Sequence, residues 1–188
     1  MYSEVLESKA SIEHEDLETA LRIVKPHEPK IILEVGMWKG FSSEVFIKAF
    51  NPDLLITLER NHKHEDGVYF EDQKYHYLWD VDSGSEDTLN KVKNILDGKQ
   101  VDFLFIDGGH LYSEVRKDIL NYMPLVKDGG IIAFHDILYF SDACQVNPHW
   151  ENLKKEYDYV EINRGNASTG FGIVFKNKRD KIINKLHE

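Results

Sequence analysis

The stretch Val101–Ile137, VDFLFIDGGHLYSEVRKDILNYMPLVKDGGIIAFHDI, contains two apolar segments that both end in side chains able to bind a metal ion. The first segment, Val101–Ile106, is followed by Asp107, and the second, Ile131–Phe134, is followed by a His-Asp pair. Continuous apolar runs of this length are typical of parallel strands that are buried on both faces. We therefore predict two buried strands whose carboxyl ends carry polar residues.

The residues between these strands predict a helix that connects them. Lys127–Gly130 should break this helix before the second strand, and its apolar positions recur at helical spacing: Leu111, Val115, Ile119 and Met123. Strand, helix and strand make one βαβ unit. Neighbouring parallel strands lie ~5 Å apart, so we expect Asp107, His135 and Asp136 to meet at the edge of the sheet. Open α/β sheets bind their ligands at that edge.

Length, charge and cysteine content narrow the class of protein. The 188 residues are 41% hydrophobic, which is enough for one sizeable core, and no linker rich in Pro, Gly or Ser divides them. The formal net charge of -10 repels phosphate backbones, so nucleic acid is not expected as a partner. The first residues, MYSEVLESKAS, resemble no signal peptide, and no apolar run could span a bilayer, so we expect a soluble, cytoplasmic protein without membrane association. Cys144 is the only cysteine and fits either a buried apolar side chain or an exposed thiol.

Strand and helix patterns alternate along the rest of the chain. Strands are expected at 31–35, 54–58 and 75–78, and two more near the end of the sequence. Helices are expected over 11–24, after Gly40, after a capping box formed by Ser83 and Glu86, and over 146–157. We predict an α/β fold in a single domain, with a mostly parallel seven-stranded sheet, an antiparallel last strand and helices on both faces. Within it we expect an N-terminal helical region (1–30), a core (31–176) and a C-terminal helix (177–188).

A turn with two glycines follows the first predicted strand. Gly36 and Gly40 allow the backbone to approach a ligand closely, and Glu59, after the next strand, can accept hydrogen bonds from ribose hydroxyls. A purely structural role fits these residues equally well. The spacing differs from the G-x-G-x-x-G of nicotinamide enzymes, because Trp38 occupies the position of the second glycine, and a dinucleotide is therefore disfavoured.

Two blocks of sequence resemble the class I S-adenosylmethionine-dependent O-methyltransferases. Residues 34–42, EVGMWKGFS, look like the E-x-G-x-x-x-G-x-S motif of catechol-type enzymes. The block FIDGGHLYSEVRKDI with LVKDGGIIAFHDI is similar to a subfamily that includes cephalosporin-hydroxylase-like and macrolide-sugar O-methyltransferases. The resemblance extends from Ile31 to Phe175 and implies a Rossmann-like methyltransferase fold with S-adenosylmethionine as the cofactor.

By that resemblance, one set of residues should bind the cofactor: Glu34, Gly36, Trp38, Gly40, Ser42, Glu59, Asp82, Ser83 and Asp107. Gly36 and Gly40 would flank its methionine end, Ser42 would contact the carboxylate and Glu59 the ribose. Asp82 and Ser83 would lie on the adenine side, where Val81 replaces a usual glycine.

The predicted cluster of Asp107, His135 and Asp136 offers carboxylate and imidazole ligands for a metal ion. Carboxylates favour Mg²⁺ or Mn²⁺, which we expect here, whereas Fe²⁺ or Zn²⁺ becomes more suitable as imidazole joins. Two carboxylates at adjacent strand ends repel each other unless a cation or a proton lies between them. The resembling enzymes carry Asp-Asn or Glu-Asp at the last two positions, so His135 departs from both patterns.

His110 is the candidate catalytic base. It follows Asp107 by three residues, Gly108 and Gly109 can turn it over the edge of the sheet, and a neutral imidazole suits proton removal near pH 7. The resembling sugar enzymes carry a catalytic histidine at this position. A solvated loop histidine is the alternative.

These residues together predict methyl transfer to a hydroxyl of a small molecule, with a sugar or polyhydroxylated compound first and a catechol-like ring second. The acceptor pocket is expected near Tyr139, Phe140 and Trp150, and core packing is an equal alternative for these aromatic side chains. Two alternatives are a non-catalytic nucleotide-binding module and, less favoured, a nicotinamide-dependent dehydrogenase. The sequence leaves open whether the chain forms a homo-oligomer.

Overall fold

The computed structural model describes residues 14–163 and 169–177, and these ranges contain seven strands and five α-helices. The strands are β1 (Ile31–Val35), β2 (Leu54–Leu58), β3 (Tyr75–Leu78), β4 (Val101–Ile106), β5 (Val126–His135), β6 (Asp158–Ile162) and β7 (Phe171–Phe175). The helices are α1 (His14–Val24), α2 (Phe41–Phe50), α3 (Glu86–Leu96), α4 (Tyr112–Tyr122) and α5 (Asn147–Leu153).

All seven strands belong to one sheet with the order β3-β2-β1-β4-β5-β7-β6. The first five are parallel to their neighbours, and β7 lies antiparallel between β5 and β6. The predicted fold class is confirmed. The strand order reverses between β1 and β4, and ligands of open α/β sheets bind beside such a reversal.

Helices cover both faces of the sheet, as the sequence predicted. On one face, Leu17 and Leu21 of α1 and Phe46 of α2 pack against the strands. The opposite face is covered by apolar residues of the other three helices, among them Val92, Leu96, Val115, Ile119 and Trp150. Because the strands are apolar on both sides, their carboxyl ends stay fixed between two cores.

Several local predictions differ from the structure. Helix α3 is capped by Ser85, whose side chain accepts a hydrogen bond from Thr88 N, so the capping box of Ser83 and Glu86 was wrong. Strand β5 already begins at Val126, and the Lys127–Gly130 segment belongs to it, because a short 3-10 turn at Met123–Leu125 ends the preceding helix instead.

Three further predictions concern helix surfaces and ends. Leu111 precedes α4 and is 45% exposed, so it is not part of the buried stripe. Helix α5 is shorter than predicted and contains Pro148 in its first turn, as expected. The predicted C-terminal helix lies almost wholly outside the described residues, and the division of the domain into three parts stays a prediction.

Candidate active site

A cleft of about 250 Å³ opens where β1, β2 and β4 end. It is lined by six of the nine residues that the sequence assigned to the cofactor: Gly36, Trp38, Ser42, Glu59, Ser83 and Asp107. The other three, Glu34, Gly40 and Asp82, are not among the lining residues. The fold thus brings most of the predicted cofactor residues together from segments that follow four different strands, β1, β2, β3 and β4.

The two glycines of the first turn are required by close backbone approaches. Gly36 has φ +88°, and a Cβ atom there would lie 2.0 Å from the carbonyl oxygen of Asp107. Gly40 has φ +80°, and its Cβ would lie 2.3 Å from the carbonyl oxygen of Val68. Both positions therefore exclude a side chain and let the turn pack directly against neighbouring backbone.

The carboxylate of Glu59 holds this turn and the loop after β2. It accepts hydrogen bonds from Trp38 N at 2.6 Å, Asn61 N at 2.9 Å and Asn61 Nδ2 at 2.9 Å. Trp38 has φ +47°, an unfavourable conformation for a bulky residue, and the bond to Glu59 stabilises it. Each carboxylate oxygen can accept more than one bond, so Glu59 still has acceptor capacity toward the cleft.

Glu34 lies beneath the turn and is fully buried. Its two oxygens accept hydrogen bonds from the hydroxyls of Ser42 and Ser43, so the hydroxyl proton of Ser42 points away from the cleft. Burial raises the pKa of Glu34 to about 7; the two serine hydroxyls oppose this effect, and the charges of Asp107 and Glu59 add to it. Glu34 therefore supports the cleft from below.

This burial predicts a pH-dependent stability that Glu34→Gln should remove. In the unfolded chain the carboxyl ionises near 4.5 and in the folded chain near 7, so its stabilising contribution is complete below pH 4.5 and is lost as the pH rises through 7. The difference of about 2.5 pKa units corresponds to roughly 3 kcal/mol. We expect Glu34→Gln to gain stability relative to the wild type between pH 5 and pH 7.5, measured by urea denaturation. If the difference in unfolding free energy between the variant and the wild type stays the same over that pH range, Glu34 does not have a raised pKa in the folded protein.

The part of the cleft that the sequence assigned to adenine is attached to α4. The carbonyl oxygen of Ser83 accepts hydrogen bonds from the Tyr122 hydroxyl at 2.6 Å and from Asn121 Nδ2 at 3.2 Å. Asp82 is exposed and accepts a bond from Gly84 N at 2.9 Å. Ser83 is therefore fixed at the cleft, whereas Asp82 faces solvent beside it.

The predicted metal ligands lie together at the ends of β4 and β5. His135 Nδ1 is 3.3 Å from Asp107 Oδ1 and 3.4 Å from Asp136 Oδ2. One donor atom from each residue lies within 4.8 Å of the others. Asp136 has φ +60°, a conformation that aspartate tolerates and that follows directly after the end of β5. The donor set fits a divalent cation.

Without a cation, a proton on His135 balances the two carboxylates. Burial of His135 disfavours its charged form, but the hydrogen bonds to Asp107 and Asp136 outweigh burial and raise its pKa to about 10. Burial likewise opposes ionisation of Asp136, and its contacts with His135 and His110 hold its pKa below the usual value. A proton and a metal ion are therefore alternatives for the same space.

His110 lies beside this cluster, as the glycine-containing loop predicted. Its Nε2 is 3.2 Å from Asp136 Oδ2 and 3.7 Å from Asp107 Oδ1. A hydrogen bond with Asp107 raises the pKa of His110, burial opposes the shift, and the charge of Asp136 adds to it. The imidazole ring is partly exposed, but its Nε2, the atom that faces both carboxylates, is itself buried.

Gln145 holds His110 in place and was not anticipated from the sequence. Its backbone N donates to the carbonyl oxygen of His110 at 2.7 Å, and its side-chain Oε1 accepts from Tyr112 N at 2.9 Å. Thr169 is a second residue that was missed, and its Oγ1 lies 3.2 Å from His135 Nε2. Neither contact has a local sequence signal, because each joins residues more than 30 positions apart.

The predicted acceptor pocket is only partly supported by side-chain exposure. Tyr139 and Phe140 are 55% and 64% exposed in the loop after the cluster. Trp150 is fully buried, packs against Gly172 and donates its indole N–H to Glu161 at 2.8 Å. The prediction for Trp150 was wrong because it faces the core beneath β7.

Comparison with solved structures shows a shared fold. The O-methyltransferase TomG from Streptomyces achromogenes, involved in tomaymycin synthesis and solved with S-adenosylmethionine, is 16% identical, and the match covers 94% of this chain and 89% of that chain with a TM-score of 0.69. An O-methyltransferase from Bacillus cereus, solved with S-adenosylhomocysteine, is 14% identical over 93% of this chain and 90% of that one (TM-score 0.65). The methyltransferase MycE of the mycinamycin pathway, solved with Mg, S-adenosylhomocysteine and mycinamycin VI, is 16% identical over 87% of this chain and 50% of that one (TM-score 0.64).

Sequence comparison identifies the family. A curated relative, the uncharacterized protein y4gI of Sinorhizobium fredii, is 23% identical over 142 residues, and this chain spans only 16% of its length. Within the described residues, no helix is both long and apolar enough to cross a membrane. A family described as "Methyltransferase domain" matches residues 33–137, which is more than half of the chain and includes the glycine turn, Glu59 and the cluster of Asp107, His135 and Asp136. The resemblance seen in the sequence is thus confirmed, and the chain belongs to this family of methyltransferase domains.

Proposed function

We propose that the protein transfers a methyl group from S-adenosylmethionine to a hydroxyl of a small molecule, with a divalent cation at the cluster. The observation that carries this proposal is the position of Asp107, which lines the cleft and also belongs to the metal cluster. A cofactor in the cleft and an acceptor at the cluster would therefore lie side by side. Such adjacency is what in-line transfer between two bound molecules requires.

The residues of the cleft suit the parts of the cofactor. Glu59 offers acceptors for ribose hydroxyls, and the first backbone N–H groups of α2, which have no partners within the helix, suit a carboxylate. The hydroxyl of Ser42 donates to Glu34, so we assign the carboxylate contact at this position to backbone N–H groups rather than to the Ser42 hydroxyl. Ser83 borders the adenine side.

At the cluster, Asp107, His135 and Asp136 would hold the cation and His110 would receive the acceptor proton. A bound divalent cation supplies Lewis acidity, which lowers the pKa of a neighbouring hydroxyl and aligns it. His110 lies within 3.2 Å of Asp136, so a hydroxyl placed at the cluster would be near the imidazole. A sugar or polyhydroxylated acceptor presents the two adjacent oxygens that such a site can bind, and a catechol-like ring is the second choice.

Cofactor binding is the direct test, and Glu59→Ala is the decisive variant. Each charge-assisted hydrogen bond lost to ribose should cost about 1.5–3 kcal/mol, which weakens binding about 10- to 200-fold. Calorimetry with S-adenosylmethionine, S-adenosylhomocysteine and NAD⁺ measures this effect and the choice of cofactor.

Glu71→Ala is the matched control, because it removes one exposed carboxylate outside the cleft. It should bind S-adenosylmethionine like the wild type. Tight binding of NAD⁺, or undiminished S-adenosylmethionine binding by a folded Glu59→Ala variant, would contradict the proposed cofactor site.

A further inference from the structure

We infer that the cluster of Asp107, His135 and Asp136 selects a first-row transition ion such as Zn²⁺ or Fe²⁺ over Mg²⁺, with His135 Nδ1 as its nitrogen ligand. This inference rests on the proposed function only in assuming that the cluster binds a cation. It concerns which ion is bound, and it can fail while the cofactor assignment stands.

The distances within the cluster match those between ligands of one small ion. With bonds of about 2.0–2.2 Å, two ligands lie about 3.0 Å apart at a right angle and about 3.4 Å apart in a tetrahedron. His135 Nδ1 lies 3.3 Å from Asp107 Oδ1 and 3.4 Å from Asp136 Oδ2. The two distances from His135 therefore already match ligand spacing, and the donor atoms of all three residues lie within 4.8 Å of one another.

The other ring nitrogen of His135 has the partner that a metal-binding histidine needs. Thr169 Oγ1 lies 3.2 Å from Nε2, so a proton on Nε2 can be donated to the threonine hydroxyl. This tautomer leaves the lone pair of Nδ1 directed toward the two carboxylates. Metal-bound imidazoles almost always donate their second N–H in this way, which fixes the ring and its tautomer. The Thr169 hydroxyl also hydrogen-bonds the Asp136 carboxylate, so it contacts two members of the cluster at once.

The chemistry of the donors decides between the classes of ion. Mg²⁺ is a hard cation that prefers oxygen ligands and retains several waters, whereas imidazole favours Zn²⁺ and Fe²⁺. Two further donors of the softer kind adjoin the cluster, because His110 and the thiol of Cys144 form a second group with Asp136 in which the donor atoms lie within 4.8 Å. Asp136 is thus bordered by two imidazoles and a thiol.

The decisive experiment exchanges the nitrogen ligand for an oxygen ligand. Calorimetric titration of the metal-free wild type with Zn²⁺ and with Mg²⁺ gives the ratio of the two affinities, and the same is done for His135→Glu and the neutral His135→Gln. We expect both variants to lose more Zn²⁺ affinity than the roughly 10- to 100-fold that loss of an outer hydrogen-bond partner of a metal ligand costs, while the Mg²⁺ affinity of His135→Glu is kept or increased. Thr169→Val should lower Zn²⁺ affinity without changing any ligand.

His62→Ala is the control for adventitious binding. His62 Nδ1 lies 2.6 Å from Asp80 Oδ2 at the surface, so it offers a similar donor pair outside the site. This variant should retain the wild-type ratio of affinities. His110→Ala removes the second imidazole beside Asp136. In that background, pulsed electron paramagnetic resonance of bound Cu²⁺ should show an imidazole nitrogen when His135 is present and lose it when His135→Gln is added.

A ratio that is unchanged in the folded His135 variants, or an imidazole signal that survives His135→Gln in the His110→Ala background, would overturn the inference. Titration of the same samples with S-adenosylmethionine separates this failure from that of the proposed function. A wild type that binds S-adenosylmethionine but does not prefer Zn²⁺ to Mg²⁺ contradicts only the inference about His135. A wild type that does not bind S-adenosylmethionine contradicts the methyl-transfer proposal.

Discussion

Gly36→Ala is expected to destabilise the protein by about 2–5 kcal/mol. This is the sum of the conformational cost of an alanine in the left-handed region and the cost of an overpacked contact. The added Cβ would lie 2.0 Å from the carbonyl oxygen of Asp107 and 2.7 Å from Gly108 Cα. Both are backbone atoms and cannot rotate away, so the ends of β1 and β4 would have to separate. Because a domain of this kind is stable by only about 5–15 kcal/mol, a large part of its stability would be lost. Urea denaturation measures the effect.

Gly98→Ala separates the two contributions. Gly98 has φ +77°, close to that of Gly36, but no atom lies within 4 Å of its added Cβ. It should therefore show only the conformational cost of about 1–2 kcal/mol. Equal destabilisation by both variants would show that the contact between the glycine turn and Asp107 is not tight.

His110→Ala is expected to reduce the turnover rate about 10²- to 10⁴-fold, the usual effect of losing a positioned base. Affinity for S-adenosylmethionine should change little, because His110 lies at the cluster and is not among the residues that line the cleft. The rate should be measured with the best acceptor from a panel of sugars and catechols. Added imidazole should restore part of the activity of His110→Ala and none of the activity of His110→Gln, in which the space is filled.

A His110→Ala variant that keeps the wild-type rate would identify His110 as a solvated loop histidine. A variant that loses cofactor binding to the same extent as turnover would indicate a structural defect at the cluster.

The sequence predicted those parts of the site that depend on strand ends. Asp107 and Asp136 could be placed because a buried apolar run ends immediately before each polar segment, and parallel pairing of β4 with β5 brings these ends together. Gly36 and Glu59 could be placed for the same reason. The position of each of these residues depends only on its own strand and on the strand that pairs with it.

The missed residues depend on contacts between distant parts of the chain. Thr169 approaches His135 only because β7 returns beside β5, and its own neighbours carry no pattern that indicates this. Ser85 rather than Ser83 caps α3, because the carbonyl of Ser83 is fixed by Tyr122 from another helix. Trp150 faces the core because Gly172 leaves room for its ring, and local periodicity could not reveal that neighbour.

The position of β7 has a consequence for biosynthesis. Strand β7 is the last of the seven strands in residues 14–163 and 169–177, yet it lies inside the sheet and pairs with β5 on one side and β6 on the other. While a nascent chain lacks residues 171–175, the five parallel strands can assemble, but β5 keeps an open hydrogen-bonding edge and β6 has no pairing partner within the described sheet. Until residues 171–175 join the sheet, β5 exposes an unpaired strand edge, and closure of that edge depends on this late segment.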